Sequence, residues 1–267
     1  LARDAEGRID LALTAGDMTS EVSLADTLAR FDAMLAAPEF AELEMIAGTG
    51  LELSMADEMT DQVMRVSAAR FELDRKDGVL SLSVGGALEG SRDATLDIAM
   101  TRDAASGTTN IGVAFEGLAA RDVATIGPAL AWVDLMRAPI SGFIGGALLQ
   151  DGSLGDLRVQ LDIGAGRVAL AAQGAPLSFD AISAALRYDA ATGRIGFDRF
   201  DLVAPELAFE AEGHADVSDG GDRFTAQFRM SGITVAPAGL FPAPLALDGA
   251  VLDLRLTLGP EPVIEIA

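Results

Sequence analysis

The side chains that could do chemistry in this sequence are its carboxylates and a single histidine, His214. Cysteine is absent, which excludes thiol catalysis, disulfides and thiolate metal sites. A single histidine also excludes a zinc site built from several imidazoles. A Ser-His-Asp triad would have to use His214, but the surrounding segment EAEGHADVS is typical of an exposed residue at the end of a strand.

The carboxylates suggest two further chemistries, calcium binding and glycoside hydrolysis. Asp216, Asp219 and Asp222 lie in the segment DVSDGGD, but their spacing does not match an EF-hand loop and favours a polar hairpin turn. A glycosidase needs two distinguished carboxylates, whereas Asp and Glu here alternate with apolar residues along strands. No phosphate-binding glycine motif is present either. We therefore predict that the protein is not an enzyme, with no catalytic residue, metal site or cofactor.

Composition indicates a folded and strongly acidic chain. Half of the 267 residues are apolar, the mean hydropathy is +0.32 and the formal net charge is −22. This charge disfavours nucleic-acid binding through a basic patch and repels an anionic membrane surface. The longest uncharged apolar stretch, residues 138–150, is shorter than the roughly 18–20 residues of a membrane-spanning helix. The oligomeric state stays open.

Alternation of apolar and polar residues places most of the chain in β-strands. The runs have about five to nine residues, the usual length of a strand. Turn signals such as Lys76-Asp77-Gly78 and Ala191-Thr192-Gly193 separate them. Short loops between alternating runs predict an antiparallel meander. Residues 154–174 are interpreted as one of its hairpins, with the turn at residues 164–166.

Two segments have a helical period instead. The leucine stripe of SLADTLARFDAML predicts a helix near residues 23–36. The segment RDVATIGPALAWVDLMR predicts a second helix over residues 121–137, which Pro139 ends. Together with the alternating runs, these segments predict a mainly β protein with two short helices.

A weak internal repeat predicts two β-rich segments, residues 1–120 and 121–267. RFELDRKDGVLSLSVGG and RFDLVAPELAFEAEG resemble each other. Each is followed by a strand that ends in a glycine step, at Gly117 in the first segment and at Gly232 in the second. We expect the two segments to form one continuous sheet, curled along its length into an open groove, with a β-sandwich as the alternative.

Residues 107–232 resemble the AsmA-like proteins of Gram-negative envelopes, in particular the central region of the YhdP branch. The resemblance rests on turn and bend motifs, namely Pro139-Ile140-Ser141-Gly142, Asp151-Gly152, Leu154-Gly155-Asp156-Leu157, Gly164-Ala165-Gly166, Tyr188-Asp189, Gly193-Arg194-Ile195 and Gly213. These motifs shape the backbone and do not carry catalysis. The sequence begins LARDAEGRID and ends PVIEIA, which predicts a fragment of a longer protein.

The resemblance implies a segment of a periplasmic protein that is anchored in the inner membrane by a part outside this chain. Such proteins are similar in plan to bridge-like lipid-transfer proteins, whose hydrophobic channel carries acyl chains. The implied function is phospholipid transport along a β-groove towards the outer membrane, in support of outer-membrane biogenesis and the integrity of its permeability barrier. The implied partners are phospholipid acyl chains and, through regions outside the fragment, both membranes, with no cofactor.

The groove candidates are the apolar positions of alternating strands. They are Leu80, Leu82, Val84, Leu96, Ile98, Met100, Ile111, Val113, Phe115, Leu157, Val159, Leu161, Leu207 and Phe209. An apolar sheet face can be buried equally well against lipid tails or against a second protein layer, because both remove the same area from water. The residues alone leave these two arrangements open. They also leave open a second function, an envelope assembly or scaffold module that binds protein partners through its sheet edges.

Overall fold

The structure, a computed structural model, describes residues 2–3, 9–10, 44–57, 62–88, 94–103, 106–124, 128–149, 154–168, 176–218, 222–236, 243–258 and 263–266. The chain divides into two compact units, Leu1–Glu42 and Leu43–Ala267. In the first unit, β1 (Ala2–Arg3) pairs antiparallel with β2 (Ile9–Asp10). The helix predicted near residues 23–36 lies outside the described residues.

One large sheet dominates the second unit. Its strands are β3 (Met45–Asp57), β4 (Gln62–Lys76), β5 (Val79–Leu88), β6 (Thr95–Asp103), β7 (Thr109–Ala119), β9 (Pro139–Leu148), β10 (Leu154–Ile163), β13 (Ala181–Asp189), β14 (Arg194–Val203), β15 (Leu207–Ser218), β16 (Arg223–Val235), β17 (Leu245–Thr257) and β18 (Val263–Ile266).

The sheet has 13 strands and follows the chain in order, from β3 at one edge to β18 at the other. Every neighbouring pair is antiparallel, as short loops between alternating runs require. The sheet is open and curled, which confirms the predicted mainly β meander with two short helices. The predicted turns lie where expected, with Asp77–Gly78 joining β4 to β5 and residues 190–193 joining β13 to β14.

Apolar residues occupy one face of this sheet in continuous rows, because residues that face each other on paired strands share a face. One row crosses twelve strands, through Gly48, Phe71, Val84, Ile98, Val113, Ile144, Val159, Leu186, Phe197, Gly213, Phe228 and Leu252. The next row crosses all 13 strands, through Ile46, Leu73, Leu82, Met100, Ile111, Gly146, Leu157, Tyr188, Ile195, Ala215, Ala226, Leu254 and Ile266. We call this surface the apolar face.

The opposite face is polar and carries ion pairs on and between strands. These are Arg70–Asp97, Arg187–Asp198, Arg194–Asp216, Arg199–Asp201, Arg229–Glu212 and Arg255–Glu265. Their arginine side chains are more than half exposed, so each pair contributes little to stability. The alternation of the strands thus separates an apolar face from a solvated one.

The helical segment between β7 and β9 differs from the single helix predicted over residues 121–137. It consists of a one-turn α-helix, α1 (Ala120–Ala124), and a 3₁₀ helix (Pro128–Leu135), and β8 (Met136–Arg137) follows directly. A proline lacks the backbone N–H that a helix interior needs, so Pro128 begins a new helix instead of continuing the first. We call residues 120–124 and 128–138 the cover.

The predicted hairpin at residues 154–174 is wrong. The chain bends at Gly164, whose backbone N–H donates to the Pro139 carbonyl, and β11 (Gly166–Val168) then leaves the large sheet. It pairs with β8 and with β12 (Leu177–Phe179) in a separate sheet of three short strands. On the side of β10 away from β9, the neighbour in the large sheet is β13, which takes the place predicted for residues 168–170.

Candidate functional site

The cover packs on the middle of the apolar face. Its side chains Val123, Trp132 and Val133 are buried in one hydrophobic cluster with strand residues such as Val159 and Leu186. The row that crosses twelve strands shows the effect. Its side chains are buried on the middle strands β9 to β14 and only half-buried on either flank. The protein itself therefore covers the centre of the apolar face.

A cavity of about 850 Å³ lies beside the cover, over the C-terminal strands. Apolar side chains from the cover, the small sheet and strands β13 to β18 form nearly all of its wall. Among the described residues of the lining, the polar side chains besides the indole of Trp132 are Ser178 and Glu206. With one acidic group and no basic side chain among these residues, the cavity offers little to hold a charged or hydrogen-bonding ligand.

Aromatic rings concentrate at this cavity, although aromatic residues make up only 5% of the sequence. The Trp132 ring centroid lies 6.3 Å from that of Phe197 and 6.2 Å from that of Phe200. The rings of Phe197 and Phe228 meet edge to face at 5.2 Å, and Phe209 stacks on Phe200 at 6.1 Å. Edge-to-face and offset packing of this kind is the favoured geometry of aromatic pairs.

Gly213 makes the contact between Phe197 and Phe228 possible. The two phenylalanines lie on β14 and β16, and Gly213 faces both of them from the intervening strand β15. A Cβ atom added at Gly213 would lie 2.1 Å from the Gln227 carbonyl oxygen and 2.9 Å from the Phe228 ring. There is no room for a side chain at this position. Because glycine has none, the rings of Phe197 and Phe228 can meet above β15.

A bulge in β14 places Phe200 on the same face as Phe197. Simple alternation would put residues three apart on opposite faces. Phe197 faces Leu186 and Phe200 faces Ala184, so the two residues between the phenylalanines stand opposite a single residue of β13. The extra residue returns Phe200 to the apolar face, where it lines the cavity.

The predicted groove residues fall into three groups. Phe115, Val159 and Leu161 are buried in the cluster beneath the cover, so they are core residues, and Leu80 is also buried. Leu207 and Phe209 line the cavity. The half-buried remainder lie outside the cavity lining, on the N-terminal strands and β10, and are Leu82, Val84, Leu96, Ile98, Met100, Ile111, Val113 and Leu157.

Most of the cavity wall lies outside the groove residues predicted from the sequence. Lining residues that were not among those candidates include Trp132, Phe197, Phe200, Phe228, Met230, Leu252 and Leu254. Several of them, such as Phe228 and Leu254, lie in runs with the same alternation as the chosen candidates, so extending the selection to all alternating strands would have found them. Phe200 required knowledge of the bulge, and Trp132 required knowledge of where the cover packs.

His214, Asp216 and Asp189 lie outside the cavity lining. His214 faces Gly196 and Gln227 on the polar face. Asp216 accepts two hydrogen bonds from Arg194, at 2.7 and 3.0 Å, and this partner holds the pKa of Asp216 below its ordinary value. Hydrogen bonds from the Thr192 side chain and backbone likewise lower the pKa of Asp189 in the β13–β14 turn.

Two kinds of feature are absent from the described residues. Nowhere among them do three His, Cys, Asp or Glu side chains form a group that could hold a metal ion. Within the same residues, no helix combines the length and the hydropathy that a membrane span requires. Comparison with known protein families, curated proteins and solved structures finds no match for this chain.

Proposed function

We propose that this protein carries phospholipid, with the acyl chains lying on the apolar face and the headgroups in water. The observation that carries the proposal is the cavity of about 850 Å³ over strands β13 to β18, whose wall is almost entirely apolar. A protein core normally fills such a space with its own side chains. Because the lining has few polar groups, hydrocarbon chains are the ligand class that suits it best.

The extent of the apolar face supports transport over storage of a single ligand. Apolar residues continue from strand to strand on both sides of the cover, over a width of roughly 58 Å for twelve intervals of about 4.8 Å each. Each methylene that moves from water to such a wall gains about 0.8 kcal/mol. On either side of the cover, a tail therefore gains nearly the same free energy at successive positions, which permits movement there without an energy source.

We further propose that the chain is a segment of a periplasmic AsmA-like protein. The support is the set of turn motifs between residues 107 and 232, together with the open meander that those proteins are expected to share. In this proposal an anchor outside the chain holds the protein in the inner membrane. Phospholipid then moves towards the outer membrane and maintains its barrier, with no catalysis by the segment.

Native mass spectrometry of the purified 267-residue chain tests lipid binding directly. After incubation with phosphatidylcholine vesicles, we expect the chain to carry phospholipid. The variant Ala211→Phe adds a ring inside the cavity, where Ala211 is buried between Phe200 and Met230, and we expect it to lose the bound lipid.

The matched control is Ala114→Phe, which adds the same ring on the exposed polar face of β7. This variant should bind lipid like the wild type, and circular dichroism should show that both variants fold. A lipid-free wild type, or equal binding by both variants, would contradict the proposal.

A second candidate function, a scaffold that binds protein partners, is favoured by the sheet edges. The edge strands β3 and β18 expose large apolar side chains, with Met45 61% and Ile266 70% exposed. Strands with unpaired backbone groups can pair with a strand of another protein. Met45→Lys on the β3 edge, outside the cavity lining, should abolish capture of a partner through that edge and leave lipid binding unchanged, which separates the two functions in a cross-linking experiment.

A further inference from the structure

Exposure rises along one row of residues that crosses the cavity wall, from the cover to the edge of the sheet, whereas in the neighbouring row Phe224 and Leu256 stay buried as far as β17. Along the row that crosses all 13 strands, Ile195, Ala215 and Ala226 are 0, 3 and 4% exposed. Leu254 on β17 is half-buried, and Ile266 on the edge strand β18 is 70% exposed. The cavity therefore has a buried end at β14, which we call the dry end, and a solvent-exposed end at β18.

The dry end is closed by aromatic rings. Trp132 of the cover is buried against Phe197 and Phe200, and Phe197 in turn meets Phe228. The cover then continues over the middle strands, where Val159 and Leu186 are buried beneath it. A tail that lies in the cavity cannot pass this point while the cover is in place, because close-packed side chains leave no room for it.

The distance across the cavity wall is comparable to the thickness of the hydrocarbon layer in one bilayer leaflet. Strands β14 to β18 are separated by four intervals of about 4.8 Å, a distance of roughly 19 Å. The hydrocarbon of one bilayer leaflet is about 15 Å deep, half of the roughly 30 Å core. An extended acyl chain can therefore run from the aromatic cluster to the β18 edge.

The exposed edge at β18 directs the polar end of the lipid. Ile266 on this edge strand is 70% exposed, so a headgroup placed there stays solvated by water, whereas the buried rings at the other end would leave it without hydrogen-bond partners.

We infer that the cavity is a dead-end compartment for a lipid tail, with the terminal methyl group against Trp132 and the ester end at strand β18. This inference rests on the proposed function and adds to it a fixed orientation of the lipid tail and an end point beyond which the tail does not move. The wall at the dry end is apolar and aromatic, so an unsubstituted hydrocarbon terminus is the group that it accepts. Transfer to the N-terminal strands then requires the cover to move away from the apolar face.

Trp132 makes the inference testable because it is the single tryptophan of the sequence. Bromine atoms on an acyl chain quench tryptophan fluorescence on contact. Phosphatidylcholine brominated near the methyl end of its chains should quench Trp132 at least twofold more strongly than phosphatidylcholine brominated near the ester. The variant Ala211→Phe, which fills the cavity, should lose this difference, whereas Ala114→Phe on the polar face should keep it.

The outcomes separate this inference from the proposed function. Equal quenching by the two lipids would mean that the tail slides past Trp132, and stronger quenching by the ester-proximal lipid would mean the opposite polarity. Either result overturns the dead-end compartment but leaves the proposal of lipid carriage standing. The same holds if native mass spectrometry shows bound lipid and neither brominated lipid quenches Trp132. Absence of lipid binding overturns both proposals.

Discussion

The N-terminal strands β3 to β7 and the C-terminal strands β13 to β18 place similar alternating patterns on one apolar face, but they use it differently. On the N-terminal strands the residues that project from this face are mainly aliphatic, such as Leu82, Ile98 and Ile111, and most stay half-exposed. On the C-terminal strands phenylalanines project from it beside the cover and enclose a cavity. The same alternation can therefore produce an open wall or a compartment, depending on what packs above it.

The two regions also share a backbone feature. Gly117 on β7 and Gly232 on β16, the glycine steps of the predicted repeat, both have positive φ angles, of 66° and 58°. Each is followed by a buried residue, Leu118 and Ile233 respectively. At both positions the pairing of neighbouring strands is irregular, and a residue in the left-handed conformation there returns the next side chain to the buried face. Glycine adopts this conformation without steric strain. The two-segment organisation itself stays a prediction.

The largest contrast is expected from charges placed beneath the cover. Val159 and Leu161 are 2 and 1% exposed, so the double variant Val159→Asp, Leu161→Asp buries two unpaired carboxylates. We expect it to lose cooperative unfolding in urea followed by circular dichroism. The matched variant Leu82→Asp, Val84→Asp changes half-exposed positions of the N-terminal strands, and it should fold with a lowered urea midpoint. A folded first variant would show that the cover is not packed on β10.

Removal of the ring that closes the cavity should have the next largest effect. Trp132→Ala should lower the free energy of unfolding by about 3–5 kcal/mol, because it deletes a buried aromatic side chain and its contacts with Phe197 and Phe200. Phe71→Ala, at a half-buried position of the N-terminal strands, should lower it by clearly less. Equal losses in denaturant titrations of the two variants would remove the distinction between the covered and uncovered regions.

A smaller effect is expected at two glycines of one row. Gly213→Ala would place a Cβ atom 2.1 Å from a backbone oxygen and push apart Phe197 and Phe228, at a cost of about 1–3 kcal/mol. Gly48→Ala meets only the flexible Leu51 side chain at 3.4 Å, so it should be nearly neutral. Thermal melts of both variants provide the comparison, and a neutral Gly213→Ala would argue against the close approach over β15.

The smallest difference is expected on the polar face. Hydrogen bonds from Arg194 lower the pKa of Asp216, so this pair stabilises the fold above the unfolded pKa of the carboxyl group. The contribution is lost as pH falls through the lower folded pKa. Asp216→Asn should therefore lower the urea midpoint slightly at pH 7, and the difference should vanish well below about pH 4.

The counterpart on the N-terminal strands is Arg70–Asp97, which has a single contact at 3.0 Å. Asp97→Asn should change the urea midpoint less than Asp216→Asn does, because one hydrogen bond is lost instead of two. A larger effect at Asp97 would reverse this ranking of the two regions.

Alternation predicted the strands well because a sheet with one solvated face imposes a period of two on the sequence. The alternation predicted the position of β10 in the chain but not the strand that pairs with it. Residues 166–168 have a strand pattern, and such a pattern fits a small separate sheet as well as it fits the large one. The apolar periodicity predicted a single helix over residues 121–137. Periodicity depends only on the spacing of apolar residues, so it does not show that Pro128 starts a new helix. The cavity was only partly predicted, through Leu207 and Phe209.

The sequence by itself determined that the strands carry one apolar and one polar face, because each residue's polarity is a local property and the pleat alternates it. Only the tertiary structure decided where that apolar face is covered and where it stays accessible. The bulge that turns Phe200 inwards, the register that places Phe197 and Phe228 across Gly213 and the packing of Trp132 all depend on contacts between distant segments. Local patterns do not encode such contacts, so the compartment exists only in the folded chain.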